Sequence, residues 1–183
     1  MTNSKKVAAG VVVATASLLA FVAGWEGESL PVYPDKLAGN LPTVCNGHTG
    51  PDVRLGDVWT KAQCDAVLVK NINKHGLGVL ACITVPINQN EYEAYASLAF
   101  NLGVSAVCSS SIPVKLAAGK RLEACNTILE FNKVRDRSKP KVYNKRKGVW
   151  EYPLIPVRGL TNRRKAEWAI CVTPVTTAVK ALA

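Results

Sequence analysis

The 183 residues carry 23 Lys and Arg against 13 Asp and Glu, a formal charge of +10, and 48% of them are apolar. With no internal repeat and no long Gly, Ser or Pro tract, that composition excludes a repeat array or a disordered chain. Once an N-terminal leader is set aside, what remains is one domain of ordinary size.

In chain order, Lys5 and Lys6 precede an uncharged run of eighteen residues, Val7 to Gly24. As a helix at ~1.5 Å per residue it spans about 27 Å, just short of a ~30 Å hydrocarbon core. Ten of the eighteen are Ala, Gly, Ser or Thr, so the run is only weakly hydrophobic. Lysines before it and a long polar chain after it place the N-terminus in the cytoplasm and the remainder outside. Three fates compete: a cleaved signal peptide, a retained anchor, and a helix packed in the core. Val22-Ala23-Gly24 satisfies a small-residue cleavage rule, but cutting there leaves Glu26 on a frayed terminus. A permanent anchor holds Glu26 at the bilayer edge. The expected division is an anchor segment over 1–24 and a folded domain over 25–183.

Residues 31–58, rich in Pro, Gly and β-branched side chains, predict a small β-sheet with turns at Pro34-Asp35, Gly39-Asn40 and Gly50-Pro51. Thr60-Lys61-Ala62-Gln63 is a capping box that opens a helix to about His75, with Cys64, Val67, Leu68 and Ile72 on one face. Gly76-Leu77-Gly78 is expected to stop it. A second helix runs from about Asn90 to Leu102, with Tyr92, Tyr95, Ala96, Ala99 and Leu102 inward and Gly103 as its left-handed cap. Shorter helices follow near 112–118 and 120–132, then an irregular stretch over 136–157. A last helix from about Thr161 to Val172 is expected to turn Leu160, Ala166 and Ile170 inward.

Two carboxylates frame the start of the sheet, Glu26 and Asp35, with eight residues between them. Thr43 follows on a strand that ends in Gly47-His48-Thr49. Glycosidic cleavage uses such a pair: one protonated carboxyl donates to the leaving oxygen while an ionised one supports the transition state or activates water. Glu26 closes an apolar stretch, where burial favours the protonated form; Asp35 sits in a polar turn, which favours the ionised one.

The six cysteines, Cys45, Cys64, Cys82, Cys108, Cys125 and Cys171, form an even set behind an export segment, which reads as a disulfide framework with fifteen possible connectivities. No CxxC or CxH spacing offers a zinc site. Lys133 to Lys147 holds eight basic residues against Asp136 alone. No nucleic-acid motif accompanies that run, so a solvated face, or attraction to anionic envelope polymers, is expected.

The joint pattern resembles the phage-type lysozymes, glycoside hydrolase family 24, whose signature runs Glu-Gly, Tyr-x-Asp, then Thr with His five residues later. Glu26-Gly27, Tyr33-Pro34-Asp35, Thr43 and His48 match it. Seven residues, 36–42, separate Asp35 from Thr43 where the family usually has five. Downstream, Phe100-Asn101-Leu102-Gly103 resembles the family's Phe-Asn-x-Gly, and Gly159-Leu160-x-x-Arg163-Arg164-x-x-Glu167 its Gly-Leu-x-x-Arg-Arg-x-x-Glu. The likeness covers roughly residues 25–172, and the weak N-terminal run is similar to that of signal-anchor-release endolysins.

The resemblance implies an α+β lysozyme-like fold, a small β-sheet lobe plus a helical lobe with an N-terminal signal-anchor helix. It also implies a monomer that needs no cofactor or metal and binds no nucleic acid. The substrate implied is peptidoglycan, cut at the β-1,4 bond between N-acetylmuramic acid and N-acetylglucosamine, with inversion. Glu26 is then the general acid, Asp35 the ionised partner, Thr43 a residue that positions water, and His48 structural. The enzyme would sit in the host inner membrane before release to the periplasm. Sequence proximity and family topology favour Cys45–Cys64, Cys82–Cys108 and Cys125–Cys171. The rival readings are a lytic transglycosylase and an inactive membrane-anchored cell-wall-binding protein.

Overall fold

The computed structural model describes residues 14–174. Lys5, Lys6, the first part of the uncharged run and the tail after Pro174 lie outside the described residues.

Thr15 caps helix α1 (Ala16–Glu26): its hydroxyl accepts from the Leu18 amide at 3.1 Å and donates to Glu93 Oε1 at 2.6 Å. Leu18 and Val22, one turn apart, are fully buried. With Ala14 they pack against Leu68 and Ile72 of α2 (Lys61–Cys82) and Tyr92 and Ala96 of α3 (Gln89–Leu102). Each such aliphatic contributes about 1.5–3 kcal/mol on leaving water. The C-terminal half of the uncharged run is therefore a core helix in this structure, continuous across Gly24-Trp25.

Gly27, at φ +69°, turns the chain out of α1 into β1 (Ser29–Asp35), which pairs antiparallel with β2 (Leu41–Cys45). Tyr33 lies opposite Thr43, Pro34 opposite Pro42 and Asp35 opposite Leu41, with a register shift between Ser29 and Tyr33. Pro34-Asp35 is thus the end of a strand rather than a turn. The reversal falls one residue later, on a short 3₁₀ turn, Lys36–Ala38, closed by Gly39 and Asn40 at φ +70° and +64°. The longer link between Asp35 and Thr43 is taken up there without disturbing the pairing that follows.

The capping box at Thr60 and Gln63 is present, but α2 continues to Cys82 and runs straight through Gly76 and Gly78. These glycines serve close approach instead. A Cβ on Gly76 would stand 2.1 Å from the Tyr92 hydroxyl, and one on Gly78 would stand 2.7 Å from a Val104 methyl. Helix α3 opens with its own capping box, Asn88 with Glu91, and is buried on nearly every side from Glu91 to Ala99. It is the central helix, so its apolar stripe is wider than periodicity suggests. Leu102, expected inward, is exposed where the helix ends against Gly103 at φ +86°.

Three short helices follow, α4 (Val104–Cys108), α5 (Ile112–Ala117) and α6 (Arg121–Thr127), the first of them unanticipated. Stretch 136–157 is not irregular. Strands β3 (Lys133–Arg135) and β6 (Leu154–Pro156) pair at the base of a ribbon, and β4 (Val142–Asn144) and β5 (Val149–Glu151) pair toward its tip. Helix α7 (Arg158–Val172) closes the described chain against α3.

The cysteines pair as Cys45–Cys64, Cys82–Cys108 and Cys125–Cys171, with Cα separations of 5.2, 5.7 and 5.8 Å. They join β2 to α2, α2 to α4, and α6 to α7. The result is the expected α+β plan, the small β1–β2 hairpin and the β3–β6 ribbon beside a helical body centred on α3.

Candidate active site

Glu26 is the last residue of α1. A carboxylate at a helix C-terminus faces the negative end of the helix dipole, so it needs a cation, and Arg163 of α7 supplies one. Arg163 Nη1 donates to Glu26 Oε1 at 2.6 Å; the arginine is 5% exposed and the glutamate 22%. The apolar surroundings expected of Glu26 are in this respect replaced by a charged one.

Arg163 is itself held from behind. Its Nε donates to Glu167 Oε1 at 3.2 Å, one helical turn along. That same oxygen accepts from Ser97 Oγ of α3 at 2.8 Å and from an Arg164 Nη at 2.9 Å, while Arg164 Nε lies 2.8 Å from Glu167 Oε2. Arg164 also donates to Asn101 Oδ1 at 3.1 Å. Burial pushes the Glu167 carboxyl above, and the Arg164 guanidinium below, their ordinary values. The inward face of α7 is therefore Arg163, Arg164, Glu167 and Cys171, not Leu160, Ala166 and Ile170, which are only half-buried. Two positive and two negative groups balance, which is the condition for burying ions at all.

Asp35 and Thr43 belong to the hairpin. The carboxylate of Asp35 turns back on the reversal, Oδ1 accepting from the Ala38 amide at 3.3 Å, while its carbonyl accepts from the Asn40 amide at 2.7 Å. Thr43 is 2% exposed and its hydroxyl donates to the Leu41 carbonyl at 2.9 Å. Because Asp35 lies opposite Leu41 and Tyr33 opposite Thr43, Asp35 and Thr43 are diagonal neighbours on one face, a relation that typically spans ~7–8 Å. Asn46 Nδ2 donates to the Gly27 carbonyl, tying the residue after Glu26 to the end of β2.

His48 stands apart from these groups. Its Nε2 is 3.2 Å from Asp52 Oδ2 and its ring packs on Trp59 at 5.5 Å, while its backbone pairs with Val44. The hydrogen bond from His48 holds the Asp52 carboxyl below its ordinary value. These are the contacts of a histidine that pins a loop.

An α1 carboxylate held by an Arg-Arg-x-x-Glu helix, beside a hairpin bearing Asp and Thr, sits within a chain whose residues 23–167 match the phage lysozyme family model. The chain belongs to the phage lysozyme family. It is 34% identical over 162 residues to the SAR-endolysin of Pseudomonas phage phiKMV, across 88% of this chain and 89% of that one. It is 34% identical over 152 residues to the endolysin of Acyrthosiphon pisum secondary endosymbiont phage 1, across 83% and 92%. Among solved structures it superposes on an endolysin from Escherichia coli O157:H7 phage FAHEc1 with a TM-score of 0.71 at 26% identity, covering 90% of this chain and 96% of the other.

The sequence points to Glu26, Asp35 and Thr43 and carries Arg163, Arg164 and Glu167 only as a family motif, with nothing to show that Arg163 grips Glu26. The signal was present in Arg163 and Glu167 at i, i+4 and Arg164 and Glu167 at i, i+3, spacings that place opposite charges side by side on a helix. Among the described residues, no group of three or more His, Cys, Asp or Glu is arranged to hold a metal ion, and no helix is long and apolar enough to cross a membrane.

Proposed function

We propose that this lysozyme is a phage endolysin that hydrolyses the β-1,4 bond between N-acetylmuramic acid and N-acetylglucosamine in host peptidoglycan. Glu26 protonates the leaving glycosidic oxygen, and ionised Asp35 supports the oxocarbenium-like transition state on the other side of the scissile bond. Thr43 helps position the attacking water, whose proton passes to the Asp35 carboxylate as its oxygen bonds to the anomeric carbon with inversion. The observation that carries this reading is the Arg163–Glu26 contact: it fixes one carboxylate oxygen, and so limits the rotamers from which the other meets substrate. Asp35 and Thr43 share one hairpin face, which supports their acting on one water.

The phiKMV relative is named a SAR-endolysin. We infer the same route here. Segment 1–24 takes the chain into the host inner membrane with its N-terminus inside, then leaves the bilayer, and the enzyme works in the periplasm as a monomer. Packing of Ala14, Leu18 and Val22 against α2 and α3 supports a segment that has somewhere to go on leaving lipid.

The test is peptidoglycan turnover by wild type and Glu26→Gln. The amide keeps an acceptor for Arg163 but has no proton to give, so the fold should survive and turnover should drop by ~10²–10⁴-fold. Wild-type turnover in Glu26→Gln would remove Glu26 from the mechanism, and anhydro product ends would identify a transglycosylase instead.

A further inference from the structure

The ribbon formed by β3 to β6 has no part in the chemistry above, yet it concentrates unusual surface. Tyr143 and Trp150 face each other across the β4–β5 pair, their rings 5.5 Å apart, 51% and 66% exposed. On the opposite face of the same pair lie Val142 and Val149, also exposed, and Leu154 and Ile155 nearer the base are exposed too. A two-stranded ribbon cannot bury both of its faces in itself, and none of these side chains is covered by the helical body.

The ribbon as a whole carries eight cations, from Lys133 to Lys147, against Asp136 and Glu151, and three of them, Lys145, Arg146 and Lys147, lie in the turn between β4 and β5. Glu151 is committed to Arg135 at 3.2 Å and Lys147 at 3.3 Å. Lys141 lies over the Tyr152 ring at 5.3 Å; among the described residues Lys133, Arg137, Lys139, Lys145 and Arg146 form no ion pair, and the Asp136 carboxylate accepts from Ser138 instead.

We propose that the 142–151 hairpin docks the enzyme on an anionic phospholipid surface, with Trp150 and Tyr143 entering the headgroup layer while the surrounding Lys and Arg meet lipid phosphates. Trp and Tyr favour that layer because each has an apolar body and a polar edge. Cations near an anionic leaflet strengthen binding by roughly fivefold apiece, and combining charge with an apolar insertion is what makes such docking stable. The two-sided apolar tip decides for lipid over an acidic polymer. A polyanion uses the cations and at most one ring face, and leaves Val142 and Val149 in water; an interface that surrounds the tip takes both faces.

The experiment uses the full-length Glu26→Gln protein taken from the periplasmic soluble fraction, with Leu18 and Val22 of α1 packed against α2 and α3. Neither cleavage nor the N-terminal segment then accounts for binding, and failure of the catalytic reading cannot be confused with failure of this one. Its sedimentation with phosphatidylglycerol–phosphatidylethanolamine vesicles is compared with phosphatidylcholine vesicles and with isolated sacculi. Binding should require phosphatidylglycerol and fall as salt is raised. Tyr143→Ser with Trp150→Ser should lower it at least tenfold, and Lys145→Gln with Arg146→Gln by a similar factor. Should the aromatic variant misfold, quenching of the parent by brominated phosphatidylglycerol serves instead: it should be largely lost in Trp150→Phe. Equal vesicle binding by all variants, unchanged quenching in Trp150→Phe, or capture by sacculi in preference to vesicles would each overturn the proposal.

Discussion

Arg163 and Glu26, 137 residues apart in sequence, meet at 2.6 Å in the structure. The contact joins the C-terminal end of the first helix to the last helix, so the proposed general acid near one end of the sequence depends on an ion network assembled near the other. Positioning follows from packing: α7 is held by α3 through Ser97, and α1 is held by α7 through Arg163.

Arg163→Gln removes the counter-charge of Glu26 and one of the two that face Glu167. Breaking one side of a buried pair typically costs ~3–5 kcal/mol, so the thermal midpoint should fall by several degrees or more. Arg163→Lys retains the charge but cannot hold Glu26 and Glu167 with separate guanidinium nitrogens. It should restore most of the stability and only part of the turnover. Equal recovery of both would mean that Arg163 serves the fold alone.

Ser97→Ala deletes one donor to Glu167 Oε1 and leaves both arginines in place. A hydrogen bond to a charged group contributes about 1.5–3 kcal/mol, and denaturant unfolding should show a loss in that range. Glu167→Gln should cost more, since it leaves two buried guanidiniums with Glu26 as their remaining close anion.

Gly76→Ala places a methyl group 2.1 Å from the Tyr92 hydroxyl. Alanine is ordinarily the better helix former, by about 1 kcal/mol. Here overpacking should win, because Tyr92 is 1% exposed and has no space into which to retreat; a net destabilisation of about 1–3 kcal/mol is expected. Gain of stability in calorimetry would mean that α2 and α3 are further apart than described.

Glu151 anchors the ribbon. Hydrogen bonds from Asn144, then Lys147 and Arg135, lower its pKa from 4.5 to about 2. A folded-state value below the unfolded one contributes stability that is fully present above about pH 5 and disappears as pH falls through 2. The pairing of β4 with β5 should loosen across that window, seen as a change in Trp150 fluorescence. Glu151→Gln should remove the pH dependence.

Ala16 and Ala20 are exposed on α1, whereas Ala14 is buried. Ala16→Leu with Ala20→Leu should therefore deepen membrane insertion by roughly 0.5 kcal/mol per central Leu without crowding the folded helix. More protein should stay in the membrane fraction, with less turnover. Full-length wild type should be found in the periplasmic soluble fraction; a chain starting at Trp25 would instead mean cleavage.

What the sequence discloses depends on how local the cause is. The capping boxes at Thr60 and Asn88 are complete within four residues, and both helices begin where those boxes lie. Gly76 and Gly78 misled because glycine acts there through a missing Cβ, and the side chains that use the space come from Tyr92 and Val104. The buried charged face of α7 was missed, in favour of Leu160, Ala166 and Ile170, for a similar reason: Glu26, Ser97 and Asn101, which complete its network, stand on α1 and α3. Strands of three residues, as in the ribbon, are too short for alternation to register. Glu26 and Asp35 stand out in the sequence because the chemistry proposed for them has a recognisable order along the chain; their electrostatic company does not.

All three disulfides lie between Cys45 and Cys171. The covalent staples therefore bind hairpin and helices into one body and do not include α1, which among the described residues is held by packing, hydrogen bonds and the Glu26–Arg163 ion pair. Undocking that one helix would withdraw Glu26 while the disulfides still bound the remainder, so under the proposed mechanism it would switch off cleavage with far less disruption than global unfolding demands.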